Sequence, residues 1–253
     1  MDYKKIHDEI INWIKDWFAD KSENSKAVIG ISGGKDSTVC AALLVEALGK
    51  DRVIGVLMPN GEQKDINDSC KVCDILGIKQ NIINVGNMYN NLTEQLRTTV
   101  PNENEFPNNL YQSNTPARLR MTVLYGFAAL TNGFVCNTCN LSEDWVGYST
   151  KWGDAVGDFS LLNKLTKTEV VALGDYMGLP KELIHKTPSD GMCGKTDEDN
   201  LGFTYETLDL YIRQGLPPKS PEIKMKIDKM HNHPNTKKKC IKLDSPLELP
   251  TAF

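Results

Sequence analysis

Residues 27–32 (AVIGIS) are aliphatic or small, and they run without a break into Gly33 and Gly34. Lys35, Asp36, Ser37 and Thr38 follow and lead into a helical pattern over 37–49 that stops at Gly49. A short apolar run bounded by glycine reads as a buried strand, and a glycine after the last periodic residue is an ordinary helix C-cap. A buried strand that turns directly into a helix constrains the fold strongly. Such units build mostly parallel sheets whose strands are joined by crossover helices.

The rest of the chain repeats the alternation. Strands are predicted over 52–59, where Pro59 ends the run, over 81–85 and over 133–138. Helices are predicted over 62–76, closed by Gly77, over 87–99, and over 116–132 with Pro116 in the first turn. A further helix over 165–178 opens on Thr166 with Glu169 three residues on, the pattern of a capping box. Residues 1–18 read as an amphipathic helix with Ile6, Ile10, Trp13, Ile14 and Trp17 on one face. The polar, Pro-broken stretch 102–114 reads as a loop; the tail from about 186 is polar and lysine-rich, and its first part, KTPSDGMCGKTDEDN (186–200), reads as a mobile loop. The fold class is therefore α/β, a doubly wound, mostly parallel sheet with helices on both faces, which binds ligands at the carboxyl ends of its strands. No repeat or linker divides the 253 residues, so one domain over 1–253 is expected.

Composition narrows the function. Charged residues are 25% and the net charge is −4, which opposes a nucleic-acid binder that draws its affinity from phosphate contacts. No apolar run reaches the ~18 residues of a membrane span, and the N-terminus lacks a signal-peptide pattern. Seven cysteines without an export signal point to reduced thiols and a cytoplasmic protein.

The glycine pair lets backbone N–H groups approach an anion at a helix N-terminus, where the dipole adds attraction. The loop is not a Walker P-loop: Lys35 is followed by Asp36, and the position five before Gly34 is Ile29 rather than glycine. Alone it could be a connecting turn. The order Ser32, Gly33, Gly34, Lys35, Asp36, Ser37 is instead similar to the S-G-G-x-D-S loop of the ATP pyrophosphatases, which split ATP to AMP and pyrophosphate. That resemblance implies that backbone donors and the Ser32 and Ser37 hydroxyls hold the pyrophosphate, and that Asp36 holds magnesium.

Five further segments narrow the resemblance. NTPARLRM (114–121), NTCNLSE (137–143), STKWGDAVGDFSLLNKLTKTEV (149–170), KTPSD (186–190) and DEDNLGFTYETLDLYI (197–212) stand in the order and spacing of the ammonia-dependent NAD synthetases. The resemblance covers nearly the whole chain. It implies an adenine-nucleotide α-hydrolase-like fold in which Gly30, Ile31, Ser32, Gly33, Gly34, Lys35, Asp36 and Ser37 line the ATP triphosphate. It implies that Thr138 contacts ATP, that Glu143 is the second magnesium ligand opposite Asp36, and that Lys167 and Ser189 close over the phosphates. Arg118 would bind deamido-NAD, and Lys151 and Asp158 its nicotinate end. Asp36, Glu143 and Lys167 would carry the chemistry. Taken singly, Arg118 beside Arg120 reads as a solvated charge, and Glu143 and Lys167 lie near helix starts, where a lysine invites an anion.

Some positions depart from the family pattern. Asn137 and Cys139 flank Thr138 where relatives usually carry glycine and aspartate, and the loop after Ser189 is short. In HPNTKKK (233–239), Lys237 stands where relatives carry a His-Lys pair over the substrate. The C-x-x-C pairs Cys70/Cys73 and Cys136/Cys139 have zinc or iron–sulfur spacing, but the helical pattern around Cys70 and Cys73 favours buried structural thiols.

The implied reaction is amidation of deamido-NAD. Its carboxylate attacks the ATP α-phosphate, giving an adenylate and pyrophosphate, and ammonia displaces AMP. ATP, deamido-NAD, ammonia and Mg2+ are the expected partners, with a homodimer implied by the resemblance and no nucleic acid or membrane. Only 26 residues precede the first strand, too few for the amidohydrolase domain of glutamine-dependent synthetases, so free ammonia is expected. An RNA-modifying thiolase or ligase with the same loop is the rival that the cysteine pairs favour. A non-enzymatic adenine-nucleotide sensor is a second rival, and it has no use for paired Asp36 and Glu143.

Overall fold

The computed structural model describes residues 1–63, 66–99, 106–186, 196–234, 236 and 243–253. In chain order the elements begin α1 (Tyr3–Ala19), β1 (Lys26–Gly30), α2 (Lys35–Leu48), β2 (Val53–Leu57), α3 (Ile66–Leu76), β3 (Gln80–Ile82) and α4 (Gly86–Arg97). They continue α5 (Asn109–Thr131), β4 (Gly133–Asn137), α6 (Leu141–Val146), β5 (Phe159–Ser160), α7 (Lys167–Tyr176), α8 (Lys181–Ile184), α9 (Asp197–Leu201), α10 (Tyr205–Gln214) and α11 (Pro221–Asn232).

The five strands lie in the order β3-β2-β1-β4-β5, and every pairing is parallel. Val28 of β1 stands opposite Ile54 on one side and Val135 on the other. The strand order reverses at β1, between β2 and β4, and the glycine loop leaves the sheet there. This switch point is where open parallel sheets bind ligands.

Alternation along the strands sorts the core into two layers. Ala27, Ile29, Val53, Leu57 and Cys136 face the larger cluster, where α1, α2, α3 and α7 pack with Ile10, Ile14, Leu43, Leu44, Val72 and Leu173. Val28, Val56 and Val135 face the other side and pack on Met121, Leu124 and Ala128 of α5. Helices thus cover both faces. Among the described residues no helix is long and apolar enough to cross a membrane.

Three local expectations are corrected. Helix α5 begins at Asn109, with the Asn108 side chain accepting from the Tyr111 N–H, so residues 109–114 are helix rather than loop. Pro116 consequently lies inside the helix and not in its first turn, where buried packing of Thr115 and Pro116 outweighs the lost hydrogen bond. Strand β5 was not anticipated, because two residues carry no readable period. Residues 197–200, read as loop, open α9, and Leu201, Phe203, Leu208, Ile212 and Ile227 bury a third cluster against Val146 of α6.

Candidate active site

The loop after β1 is shaped by its own hydroxyls. Ser37 Oγ accepts from the Ser32 N–H at 3.2 Å and donates to the Gly34 carbonyl at 3.1 Å. Ser32 and Ser37 share a hydrogen bond of 2.9 Å, and the Gly34 N–H donates to Ser32 Oγ. Ser37 is buried while Ser32 is exposed, so Ser37 acts mainly as the brace of the loop. Gly33 has φ +75°, and a Cβ there would lie 2.8 Å from Asp68 Cβ and from the Ser69 N of α3. Only glycine meets both demands. Ile31 buries its side chain in the core and donates its N–H to Val56, which leaves its backbone as its part of the loop. At Gly30 a Cβ would stand 3.1 Å from Met58 Cε.

Over this loop stands a cluster of ions. Lys167 Nζ lies 2.9 Å from Asp36 Oδ2 and 2.7 Å from Glu143 Oε1. Asp36 sits in the first turn of α2, Glu143 in the first turn of α6, and Lys167 is the first residue of α7. The side chains are 17%, 15% and 7% exposed, so the pairs are largely out of water. Burial pushes the Glu143 carboxyl upward, Lys167 pulls it back and Asp36 adds to the rise, with a net shift to about 7. Burial alone would lower Lys167, but Asp36 and Glu143 more than offset it and hold the ammonium charged. Lys35 is also buried and donates to the Lys186 carbonyl at 2.8 Å. Burial, then the nearby Lys167, lowers its pKa.

Several supporting residues were not singled out from the sequence. Asn140 caps α6 in a reciprocal capping box with Glu143, and its Nδ2 donates to Asp36 Oδ1 at 3.0 Å. The Asn-x-x-Glu spacing carried that signal. The Tyr205 ring lies 5.0 Å from Lys167 Nζ, and its hydroxyl donates to Asp197. Tyr205 belongs to the third cluster, which has no periodic link to the loop. Thr138, half-buried at the end of β4, leads into the Asn140 turn. Its neighbour Asn137 replaces the expected glycine with a structural tie: its Nδ2 donates to Asp154 and Val156 carbonyls at 2.7 and 3.1 Å.

Of the four residues expected to hold deamido-NAD, Arg118 lines a cavity of about 380 Å³ together with Met121, Thr122, Tyr125, Trp152 and Val156, and Lys151 and Asp158 contact that lining. Arg118 donates to the Lys151 carbonyl at 3.2 Å. Asp158 accepts from the Val135 N–H at 2.7 Å and from the Tyr125 hydroxyl at 3.4 Å. Lys151 Nζ lies 5.1 Å from the Trp152 ring, which is 57% exposed. Trp152 has φ 64°, a conformation rare for a bulky residue and typical of sites under functional constraint. Ser189 and Lys237 lie outside the described residues.

The cysteine pairs sit in different settings. Cys70 and Cys73 lie on α3, with Cys73 buried. Cys136 and Cys139 flank the end of β4, and the Cys139 thiol donates to the Asp154 carbonyl. Burial pushes the Cys139 thiol up, and Cys73 to about 11.

A glycine loop at the switch point and three helix N-termini turned on one ion cluster suit a polyphosphate. On this parallel sheet they place the chain among the α/β enzymes with the adenine-nucleotide α-hydrolase type of fold. The family model of NAD synthase matches residues 6–243, and the chain belongs to that family. The NH3-dependent NAD+ synthetase of Methanocaldococcus jannaschii is 42% identical over 226 residues, covering 85% of this chain and 84% of the relative. Among solved structures, an NMN synthetase from Francisella tularensis matches with a TM-score of 0.83 and 30% identity, covering 100% of both chains. An NH3-dependent NAD synthetase from Campylobacter jejuni matches with a TM-score of 0.73 and 27% identity, over 98% of this chain and 100% of the other.

Proposed function

We propose that the chain is a ligase that amidates deamido-NAD with ammonia at the expense of ATP, yielding NAD, AMP and pyrophosphate. The observation that carries this reading is the cluster of Asp36, Glu143 and Lys167 over the glycine loop. The nicotinate carboxylate oxygen attacks the ATP α-phosphorus as the bond to pyrophosphate breaks. Ammonia then attacks the carbonyl carbon, the bond to AMP breaks, and a proton is lost to solvent. The loop N–H groups, the α2 N-terminus and the Lys35 and Lys167 ammonium groups hold the leaving pyrophosphate and offset its charge. No covalent bond to the protein is required, so catalysis is positioning and charge stabilisation.

Magnesium fits the donor set. Asp36 and Glu143 converge on a single cation, the Lys167 ammonium, at 2.9 and 2.7 Å. Among the described residues no group of three or more acidic, His or Cys side chains is placed to hold a metal. Magnesium characteristically takes one or two carboxylates and completes its shell with phosphate and water. Asp36 and Glu143 are the residues that would hold it, and it would supply further neutralisation of the polyphosphate.

The cavity beside Arg118 would take the nicotinate end, with Arg118 and Lys151 offering cations and Trp152 a ring to stack on. We read the chain as a single cytoplasmic domain that forms a homodimer. Sedimentation velocity at micromolar concentration tests that point, and a monomer would exclude it. A second reading of the substrate, nicotinic acid mononucleotide, is favoured by the full-length likeness to an NMN synthetase.

One assay separates these. ATP, magnesium and ammonium are supplied with deamido-NAD or with the mononucleotide, and AMP, pyrophosphate and amide are measured. Deamido-NAD should give the higher kcat/KM, and the rate should rise with pH as ammonium deprotonates. A higher kcat/KM for the mononucleotide selects the second reading. ATP cleavage with neither acid excludes both.

A further inference from the structure

Asp209, on α10, takes no part in the steps above, yet its carboxylate is 4% exposed and surrounded by donors. Oδ1 accepts from the Ser142 hydroxyl at 2.5 Å and Oδ2 from the Thr168 N–H at 2.8 Å. Ser142 Oγ in turn accepts the Lys167 N–H at 2.9 Å. Ser142 directly precedes Glu143, and Thr168 directly follows Lys167. One buried carboxylate is therefore tied to the neighbours in sequence of two members of the ion cluster.

The helix carries a second tie four residues on. Arg213 Nε and Nη2 each lie 2.7 Å from the Glu169 carboxylate, and Glu169 Oε2 accepts the Thr166 N–H at 2.8 Å. Helix α10 thus grips the first turn of α7 at two points. A carboxylate is acceptor-only on both oxygens, so it serves all these donors together, while an amide of the same shape cannot. Charge-assisted bonds to N–H groups at a helix N-terminus are among the stronger hydrogen bonds.

We propose that Asp209 is a positioning residue: through Ser142 and the first turn of α7 it sets Glu143 and Lys167 against each other over the pyrophosphate loop. The proposal rests on the reading of that cluster as the pyrophosphate site. A misplacement of about 1 Å in such a site can lower turnover on the order of 10²-fold, so the tie has a kinetic consequence apart from its contribution to folding.

The test compares wild type with Asp209→Asn, Ser142→Ala, the double variant, and Tyr211→Phe. The last removes a hydroxyl bond from the same helix to Asp228 of α11 and leaves the Asp209 and Arg213 ties to α6 and α7 in place. Unfolding midpoint, kcat, KM for deamido-NAD and the Kd of magnesium pyrophosphate are measured for each. Asp209→Asn should lower kcat at least tenfold, weaken pyrophosphate at least fivefold, and leave KM for deamido-NAD within twofold. Ser142→Ala should act in the same direction, and the double variant should be no worse than the worse single one. Tyr211→Phe should keep wild-type kcat and pyrophosphate affinity. A folded Asp209→Asn or Ser142→Ala protein with pyrophosphate affinity within twofold of wild type overturns the proposal. If Asp209→Asn does not fold, Ser142→Ala decides alone. A wild type that binds pyrophosphate but forms no amide overturns the reaction and not the positioning, which the affinities still decide. A wild type that binds no pyrophosphate overturns both.

Discussion

Lys167 holds its ammonium 2.9 Å from the Asp36 carboxylate, although 131 residues separate them in the chain. The two residues sit in the first turns of α7 and α2, and Glu143 joins them from the first turn of α6. Three helix N-termini therefore point their partial positive charge at one place. The two carboxylates answer that field, and Lys167 balances the carboxylates.

Replacing Lys167 with Met leaves two buried carboxylates facing each other. Loss of one partner from a buried ion cluster costs about 3–5 kcal/mol. Lys167→Met should lose stability on that order in urea unfolding and lower amide formation by about 10²–10³-fold. A variant with both near wild type would remove Lys167 from the site.

Gly33→Ala should fail for two reasons at once. Its φ is +75°, and the new Cβ would meet backbone of α3 at 2.8 Å. The strain is about 1–3 kcal/mol, and relief would require the loop to move away from α3. Urea unfolding should show a loss of that order, and the KM for ATP should rise at least tenfold. An unchanged KM would show that the loop shape does not set nucleotide binding.

Glu143 makes stability depend on pH in an unusual direction. Its carboxyl is raised from 4.5 to about 7, so the folded protein binds that proton more tightly than the unfolded chain does. Its ionisation then costs stability, a cost absent below about pH 4.5 and complete above about pH 7. Glu143→Gln removes it. In EDTA, the unfolding free energy of Glu143→Gln should gain on wild type by roughly 3 kcal/mol between pH 4.5 and pH 8. Amide formation should still fall at least tenfold. A difference that does not vary with pH would assign the burial of this carboxyl wrongly.

The cysteine pairs should hold no metal. Metal binding needs thiolates, and burial raises Cys73 to about 11 and Cys139 further toward the neutral form. Elemental analysis of anaerobically purified protein should show no stoichiometric zinc or iron. One atom per chain, lost on changing Cys70 and Cys139 to serine, would reopen the RNA-thiolation reading.

Much of the fold could be read along the chain because its signals are local. The β1 run, the glycine pair and the α2 pattern lie within 24 residues (26–49) and needed no distant partner to be recognised. The Thr166–Glu169 capping box was legible for the same reason and stands as expected. Local signals failed where packing outweighed them. Pro116 looked like a helix start, but buried contacts carry α5 through it. Residues 197–200 looked like loop, yet they open α9, whose Leu201 is buried in the cluster on α6.

The site divides in the same way. The chain by itself determined which groups are available: a glycine loop with Ser32, Asp36 and Ser37 at a strand end, and the motifs that hold Arg118, Glu143, Asp158 and Lys167. Their order along the chain says nothing of distance. Tertiary structure alone decided that Lys167 falls between Asp36 and Glu143, while Arg118 lines a cavity whose wall Lys151 and Asp158 contact. It also decided that Asn140, Tyr205 and Asp209 support the cluster. The physical reason is that charge interactions depend on separation and burial. Both are set by how α2, α6, α7 and α10 pack, through contacts between residues far apart in sequence.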